Sequence, residues 1–524
     1  MTAAGAAWPP GTVPVMGLPS RRGRSLRRRL AVLGTVGALA ATGCGGASDL
    51  TSGDDPEPEP SSTTEPTSGP TSGPTSEPSP PDIDLSGAES QPVDDPYYPH
   101  NGEPYLDTLH YDLDLDWNPA AKLLQGEATI TFRVTEPREE IQLDFGAPLK
   151  ITGATLDDRE VATTEAGEDL VVTTPGLKAE DYHTLVLRYR GSPQPVEAAG
   201  SRTDLLTVGW TTESDGSVWT LQEPWGAYTW YPVNDHPSDK AFYDATISAS
   251  GGMIGVFNGQ QQDQTTEGDV TTTAWHLGSP AASYLITIAI GDYELHTDEG
   301  PDGLPISYWI PADNTEALGW LEESPEMLSW LEETLGDYPF SQIGAVVVPS
   351  DSAMETQTLV TMGEGVFRAD EVTLRGALLH EYAHQWYGDV VSPDNWTDLW
   401  LNEGFAMYIQ LLWADSVGLM SYAQTISQWT SLDNQMRAEY GPPGAYYEDE
   451  FASSNVYYSG AVMIHQIREQ IGDEAFFDAL RTWPTVHEFG TANRDDYIRW
   501  LSDRTGTDLG PLINEWLTSP TTPS

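Results

Sequence analysis

Five consecutive residues, His380-Glu381-Tyr382-Ala383-His384, set two imidazoles four positions apart with a carboxylate beside the first. On a helix, residues four apart project from one face a turn above each other, so both imidazoles can grip one metal ion. A catalytic zinc takes three protein ligands and keeps a further position open for water. Glu403, in Trp400-Leu401-Asn402-Glu403-Gly404-Phe405 with eighteen residues between it and His384, is the candidate third ligand. Glu381 then lies beside the metal as the base that takes a proton from water. Those residue types at that spacing imply hydrolysis of an amide.

The elements that must position them follow from periodicity. Asp370 can cap a helix carrying the two histidines, with Ala377, Leu378 and Leu379 giving it apolar contacts. Gly388 and Pro393 mark its end, and Trp396 to Trp413 reads as an antiparallel partner that brings Glu403 back. Asp398 is open to two readings, a carboxylate behind one histidine or a helix N-terminal charge. Ser324-Pro325 starts another helix, whose Met327, Leu328, Leu331 and Leu335 recur at helical spacing. Residues 343–349 read as a strand leading to Ser352-Ala353-Met354-Glu355-Thr356, and residues 471–517 complete a helical lobe.

Ahead of this, residues 105–300 have period two. Leu109, Tyr111, Leu113, Leu115 and Trp117 alternate with polar residues, Asn258-Gly259 is a hairpin-type turn signal, and residues 282–290 form an apolar run expected as one central buried strand. The expected fold class is α+β and multidomain, an N-terminal antiparallel β-sheet domain over 99–300 followed by a mainly helical domain over 301–518, with a short tail over 519–524. Within the β domain, Gln222-Glu223-Pro224-Trp225 and Trp230-Tyr231-Pro232-Val233-Asn234-Asp235-His236 are unlike ordinary strands. Glu223 there is either a structural ion pair or cap, or a site carboxylate, and His236 reads as a turn or packing histidine.

The 524-residue chain carries a formal charge of −56, and 39% of its residues are hydrophobic. Such a surface repels nucleic acid and anionic membranes, which excludes both as direct partners. Six of its 24 basic residues precede Leu30, ahead of an apolar run too short to span a bilayer, as in a cleaved export signal over 1–43. Ala41-Thr42-Gly43-Cys44 resembles the lipobox of bacterial lipoproteins, and Cys44 is the only cysteine. The expectation is lipidation at Cys44 and anchorage on the outer face of the bacterial cytoplasmic membrane, at the cell surface or in the periplasm, with the lipid as the sole membrane contact. Residues 44–98, rich in Pro, Ser and Thr, read as a disordered tether.

The set His380-Glu381-x-x-His384, Glu403 and Trp400-Leu401-Asn402-Glu403-Gly404-Phe405-Ala406 resembles the M1 family of zinc aminopeptidases, the aminopeptidase N type. The likeness runs from about Tyr105 to Leu517 and implies a thermolysin-like catalytic domain holding one zinc ion. It implies that Glu355, in the stretch that stands for the family's Gly-Ala-Met-Glu-Asn motif, and Glu223 bind the substrate's free N-terminus, with Ala353 and Met354 also contacting substrate. It implies that Tyr457 stabilises the oxyanion, with Tyr458 as its rival. Ser352 and Thr356 depart from the family's glycine and asparagine. The resemblance further implies a short, two-domain form with a more open groove, and the expected state is a monomer. Two other functions stay open: a thermolysin-like endopeptidase, and a non-catalytic peptide-binding lipoprotein.

Overall fold

The computed structural model describes residues 84–312 and 314–523. The expected export signal, Cys44 and the expected tether as far as residue 83 lie outside the described residues. From Asp84 the chain packs onto the body, earlier than composition implies. Ala88, Asp95 and Tyr98 are buried. The Asp95 carboxylate accepts the backbone N–H groups of Tyr97, Tyr98 and Trp396 at 2.7–2.8 Å. The tether expected to reach residue 98 is therefore ordered over 84–98, because a polar segment can be held by hydrogen bonds without an apolar face of its own.

The N-terminal part is built on an eight-stranded sheet. Its order is Gln260–Glu267, Val270–Ala282, Lys240–Ala249, Leu106–Asn118, Leu123–Val134, Tyr182–Gly191, Leu149–Leu156 and Arg159–Glu160. Leu109, Tyr111, Leu113, Leu115 and Trp117 all point into the core, as their alternation requires. One pairing departs from the antiparallel expectation, since Leu106–Asn118 runs parallel to Lys240–Ala249 with His110 opposite Phe242. Parallel neighbours need a long crossover, which short-range patterning does not reveal. A five-stranded sheet, from Ile254–Phe257 through Ile288–Gly291, Val218–Leu221 and Thr207–Thr212 to Val196–Glu197, and a three-stranded sheet complete this part.

Two local expectations change. Asn258-Gly259 joins strands of two different sheets rather than closing a hairpin. Asn258 Nδ2 donates to the carbonyls of Leu285 and Gln357, and its Oδ1 accepts from Thr287 N at 2.7 Å, so its side chain stitches a corner. The apolar run 282–290 is buried as expected but is not one strand. It ends one strand at Ala282, turns through Ser283–Leu285 and enters another at Ile288. Ser283 Oγ donates to Asp235 at 2.7 Å, which fixes the turn.

The second part opens with a hairpin, Tyr293–Glu299 and Pro305–Pro311, that spans the boundary expected at 300/301. Pro305–Pro311 pairs in parallel with Ile343–Val348, which pairs with Val360–Gly363, and the short strand Ala353–Met354 lies at the sheet edge. Helices follow the chain as α1 (Thr315–Leu321), α2 (Ser324–Leu335), α3 (Glu371–His384), α4 (Trp400–Ser416), α5 (Tyr422–Tyr440), α6 (Gly460–Ile471), α7 (Asp473–Val486), α8 (Arg494–Thr505) and α9 (Gly510–Thr518). Among the described residues, no helix is long and apolar enough to cross a membrane.

Candidate active site

Helix α3 begins where Asp370 accepts the backbone N–H groups of Val372 and Thr373 at 3.1 and 3.2 Å. Its last turn carries His380 and His384, both buried. The helix stops in a wide turn, Gln385–Asp389, where Gly388 takes φ +132°, a conformation that L side chains rarely adopt. That turn folds the Tyr387 carbonyl back onto His384 Nδ1 at 2.9 Å. Because a carbonyl can only accept, Nδ1 carries the hydrogen, and the imidazole in its neutral, ligating form would aim the lone pair of Nε2 into the site; with no metal, the carboxylates of Glu355 and Glu403 outweigh burial and push the His384 pKa well up.

Glu403 lies in the first turn of α4, where the helix dipole favours a carboxylate. Its Oε2 is 3.0 Å from His380 Nε2 and 3.4 Å from His384 Nε2, and the two Nε2 atoms are 3.1 Å apart. Three ligand atoms about 2.0–2.1 Å from a tetrahedral ion stand about 3.3 Å from one another, so this triangle fits zinc. Burial alone would raise the Glu403 pKa, yet the imidazoles of His384 and His380 pull it below the usual carboxylate range. Asp398 does not back a histidine. It accepts from Trp400 Nε1 at 3.0 Å and from Arg494 N at 2.8 Å, so it organises the entry to α4.

Glu381, Glu355 and His384 place ligand-type atoms within 4.8 Å of one another. Burial, then the neighbouring Glu355, pushes the Glu381 carboxyl well up. Glu355 follows the edge strand Ala353–Met354, whose residues pair with Met362 and Thr361. Gln385, next to His384, clamps this turn by donating to the Glu355 carbonyl at 3.1 Å and accepting from Thr358 N at 2.9 Å. Thr356, where the M1 motif has asparagine, closes the same turn through its hydroxyl to the Leu359 carbonyl and Thr361 Oγ1.

Glu223 reaches the site from the β part. Its neighbour Gln222 is held by Trp230 Nε1 and the Ser283 carbonyl at 3.0 and 2.7 Å. Glu223 is neither a cap nor a closed ion pair, because its Oε1, like that of Glu355, is buried without a hydrogen-bond partner. Burial, then the charges of Glu355 and Glu403, pushes its pKa well up. Tyr457 lies in a wide turn before α6, and its ring stacks 5.9 Å from that of His380. The Tyr458 ring packs against that of Trp429, with centroids 5.0 Å apart. Sequence reasoning missed Gln385, although it adjoins His384, and it missed Arg202 and Asp204, which sit in a loop with no periodic signal.

The Peptidase family M1 domain model matches residues 320–516, and the Peptidase M1 N-terminal domain model matches residues 107–285. Aminopeptidase N of Streptomyces lividans is 25% identical over 449 residues, 79% of this chain and 50% of that protein. Aminopeptidase N of Lactobacillus helveticus is 26% identical over 450 residues, 78% of this chain and 50% of that protein. The chain thus spans about half the length of these curated relatives. The M1 zinc metallopeptidase of Deinococcus radiodurans has a similar structure, with a TM-score of 0.73 at 27% identity, covering 83% of this chain and 98% of that one. A variant of a two-domain M1 zinc metallopeptidase with L-arginine bound gives a TM-score of 0.74 at 27% identity, covering 83% and 99%. With most of the β part covered by one model and α3 and α4 inside the other, this chain belongs to peptidase family M1.

Proposed function

We propose that this protein is a zinc aminopeptidase that removes the N-terminal residue of peptides. The observation that carries this reading is the pair Glu223 and Glu355, two buried carboxylates with unpartnered oxygens beside the three metal ligands. Like charges buried together are costly unless a cation meets them, and a peptide's α-ammonium is such a cation. An acylated N-terminus offers none.

Zinc, when bound by His380, His384 and Glu403, supplies a Lewis acid that polarises a carbonyl and acidifies water. The chain's own residues do the rest. Glu223 and Glu355 hold the α-ammonium and fix which amide is cut. Ala353 and Met354, on an edge strand, offer the open side of that strand to an extended substrate. The Glu381 carboxylate takes the proton of the attacking water and returns it to the leaving amine. Tyr457 donates its hydroxyl hydrogen to the oxygen that becomes negative. Aminoacyl arylamides should be hydrolysed, the activity lost to a chelator and restored by zinc. Glu381→Gln should keep zinc and lose at least 100-fold in kcat; a zinc-loaded variant that still hydrolyses would refute the assignment.

The same proposal places the enzyme outside the cell as a monomer tethered through a lipid on Cys44, supported by the sequence around that residue. Cys44→Ser should move the protein from the membrane fraction to the soluble fraction. Unchanged membrane association would remove the anchor from the proposal.

A further inference from the structure

Arg202 lies in the loop between the strands Val196–Glu197 and Thr207–Thr212, yet it ends at the metal site. Its Nε and Nη2 donate to the two carboxylate oxygens of Asp204 at 3.3 and 2.5 Å. Nη2 also donates to Ser352 Oγ at 2.9 Å, and Ser352 in turn donates to Asp204 at 3.1 Å. These three side chains form a closed ring of hydrogen bonds that sets the plane of the guanidinium. The remaining nitrogen, Nη1, points to the Tyr457 hydroxyl at 3.4 Å. The loop is pinned on the other side as well, because Ser201 Oγ donates to Glu450 and Gly200 packs on the Phe451 carbonyl.

The hydroxyl of Ser352 makes this ring possible, at the position where the M1 motif has glycine. A phenol oxygen that accepts from a cation on one side turns its hydrogen to the other and becomes a stronger donor. The other side here is the metal centre, since the Tyr457 ring stacks on that of His380 with centroids 5.9 Å apart. We propose that Arg202 is a positioning residue for the reaction: held by Asp204 and Ser352, it directs and strengthens the Tyr457 hydroxyl as the donor to the developing oxyanion. The inference rests on the oxyanion role given above to Tyr457. It makes the N-terminal β part a contributor to turnover through Arg202, in addition to substrate binding through Glu223.

The test is a mutant cycle on the full, zinc-loaded chain with a leucyl arylamide as substrate. It compares Arg202→Gln, Tyr457→Phe and the double variant, with zinc content and melting temperature measured for each. The expected result for Arg202→Gln is a loss of about tenfold in kcat with KM within about twofold, the size of one charge-assisted hydrogen bond. In the Tyr457→Phe background the same change should cost less than about twofold, because its route of action is gone. A loss confined to KM would overturn the inference and make Arg202 a substrate contact. A loss that multiplies fully with that of Tyr457→Phe would overturn it too. If Tyr457→Phe alone leaves kcat unchanged, the reading of Tyr457 itself fails, a result distinct from either of these. Should Arg202→Gln fail to fold, Arg202→Lys runs the same cycle, because an ammonium keeps the charge but cannot span Asp204, Ser352 and Tyr457 together.

Discussion

Glu223 and Glu355 come from different parts of the chain, both are buried, and the charge of Glu355 adds to the cost of burying Glu223. Glu355→Gln or Glu223→Gln removes one of the two charges that meet an α-ammonium. Either change should raise KM for a free-amine substrate at least about tenfold, because a charge-assisted hydrogen bond is worth roughly 1.5–3 kcal/mol. An unchanged KM in steady-state kinetics would remove that carboxylate from amine binding. A second residue-scale prediction concerns His236. It is buried, its Nδ1 accepts the Ser238 backbone N–H at 3.1 Å, and burial pushes its pKa down to about 4. The unfolded chain, with an imidazole near 6.5, takes up the proton first as pH falls. Stability is therefore complete above about 6.5 and drains away toward about 4, by on the order of 3 kcal/mol. His236→Asn keeps an acceptor and should flatten this slope in urea melts; parallel curves for the two proteins would contradict it. His380 and His384 were legible as candidate ligands because helical spacing projects them from one face, and Glu403 because a short loop folds the next helix back. Glu223 was not legible from spacing, since its partners lie more than a hundred residues away, and Arg202 gave no signal at all in its loop.

At the scale of elements, the site depends on how closely α4 and α6 cross. A Cβ on Gly404 would sit 3.1 Å from the Gly460 Cα, and one on Gly460 would sit 2.9 Å from the Gly404 Cα. These glycines let the two backbones touch, which brings the turn holding Tyr457 against the turn holding Glu403. Gly460→Ala should cost about 1–3 kcal/mol of stability by overpacking, and should lower kcat by moving Tyr457. Thermal melts and kinetics check this, and a variant with unchanged stability would show that the crossing is slack. Gly404 was visible in its motif, but its contact with Gly460 was not, because a helix pattern carries no record of its neighbour. The start of α3 was legible from the cap at Asp370, and that of α2 from Pro325 in its first turn. The parallel pairing of Leu106–Asn118 with Lys240–Ala249 was not, since more than a hundred residues intervene.

At the scale of the molecule, the β part and the helical part complete one site. Buried Lys240, on a central strand of the large sheet, donates to the carbonyls of Asp389 and Val390 at 2.6 and 3.2 Å, just beyond α3. The ordered segment 84–98 ties the same two parts through Asp95 and Trp396. A chain beginning at Asn101 should melt lower than one beginning at Asp84, and equal melting temperatures would show that the segment adds nothing. Removing zinc should lower the melting temperature, and adding it back should raise stability by about 4 kcal/mol at a thousand times its dissociation constant. The central claim, that two carboxylates select a free N-terminus, is tested most directly by one pair of substrates. The zinc-loaded protein is given a short peptide with a free α-amine and the same peptide acetylated at its N-terminus. Release of the first residue is expected from the former, and a kcat/KM at least about 100-fold lower for the latter, the loss of two charge-assisted contacts. Equal cleavage of both peptides would contradict it and make the protein an endopeptidase.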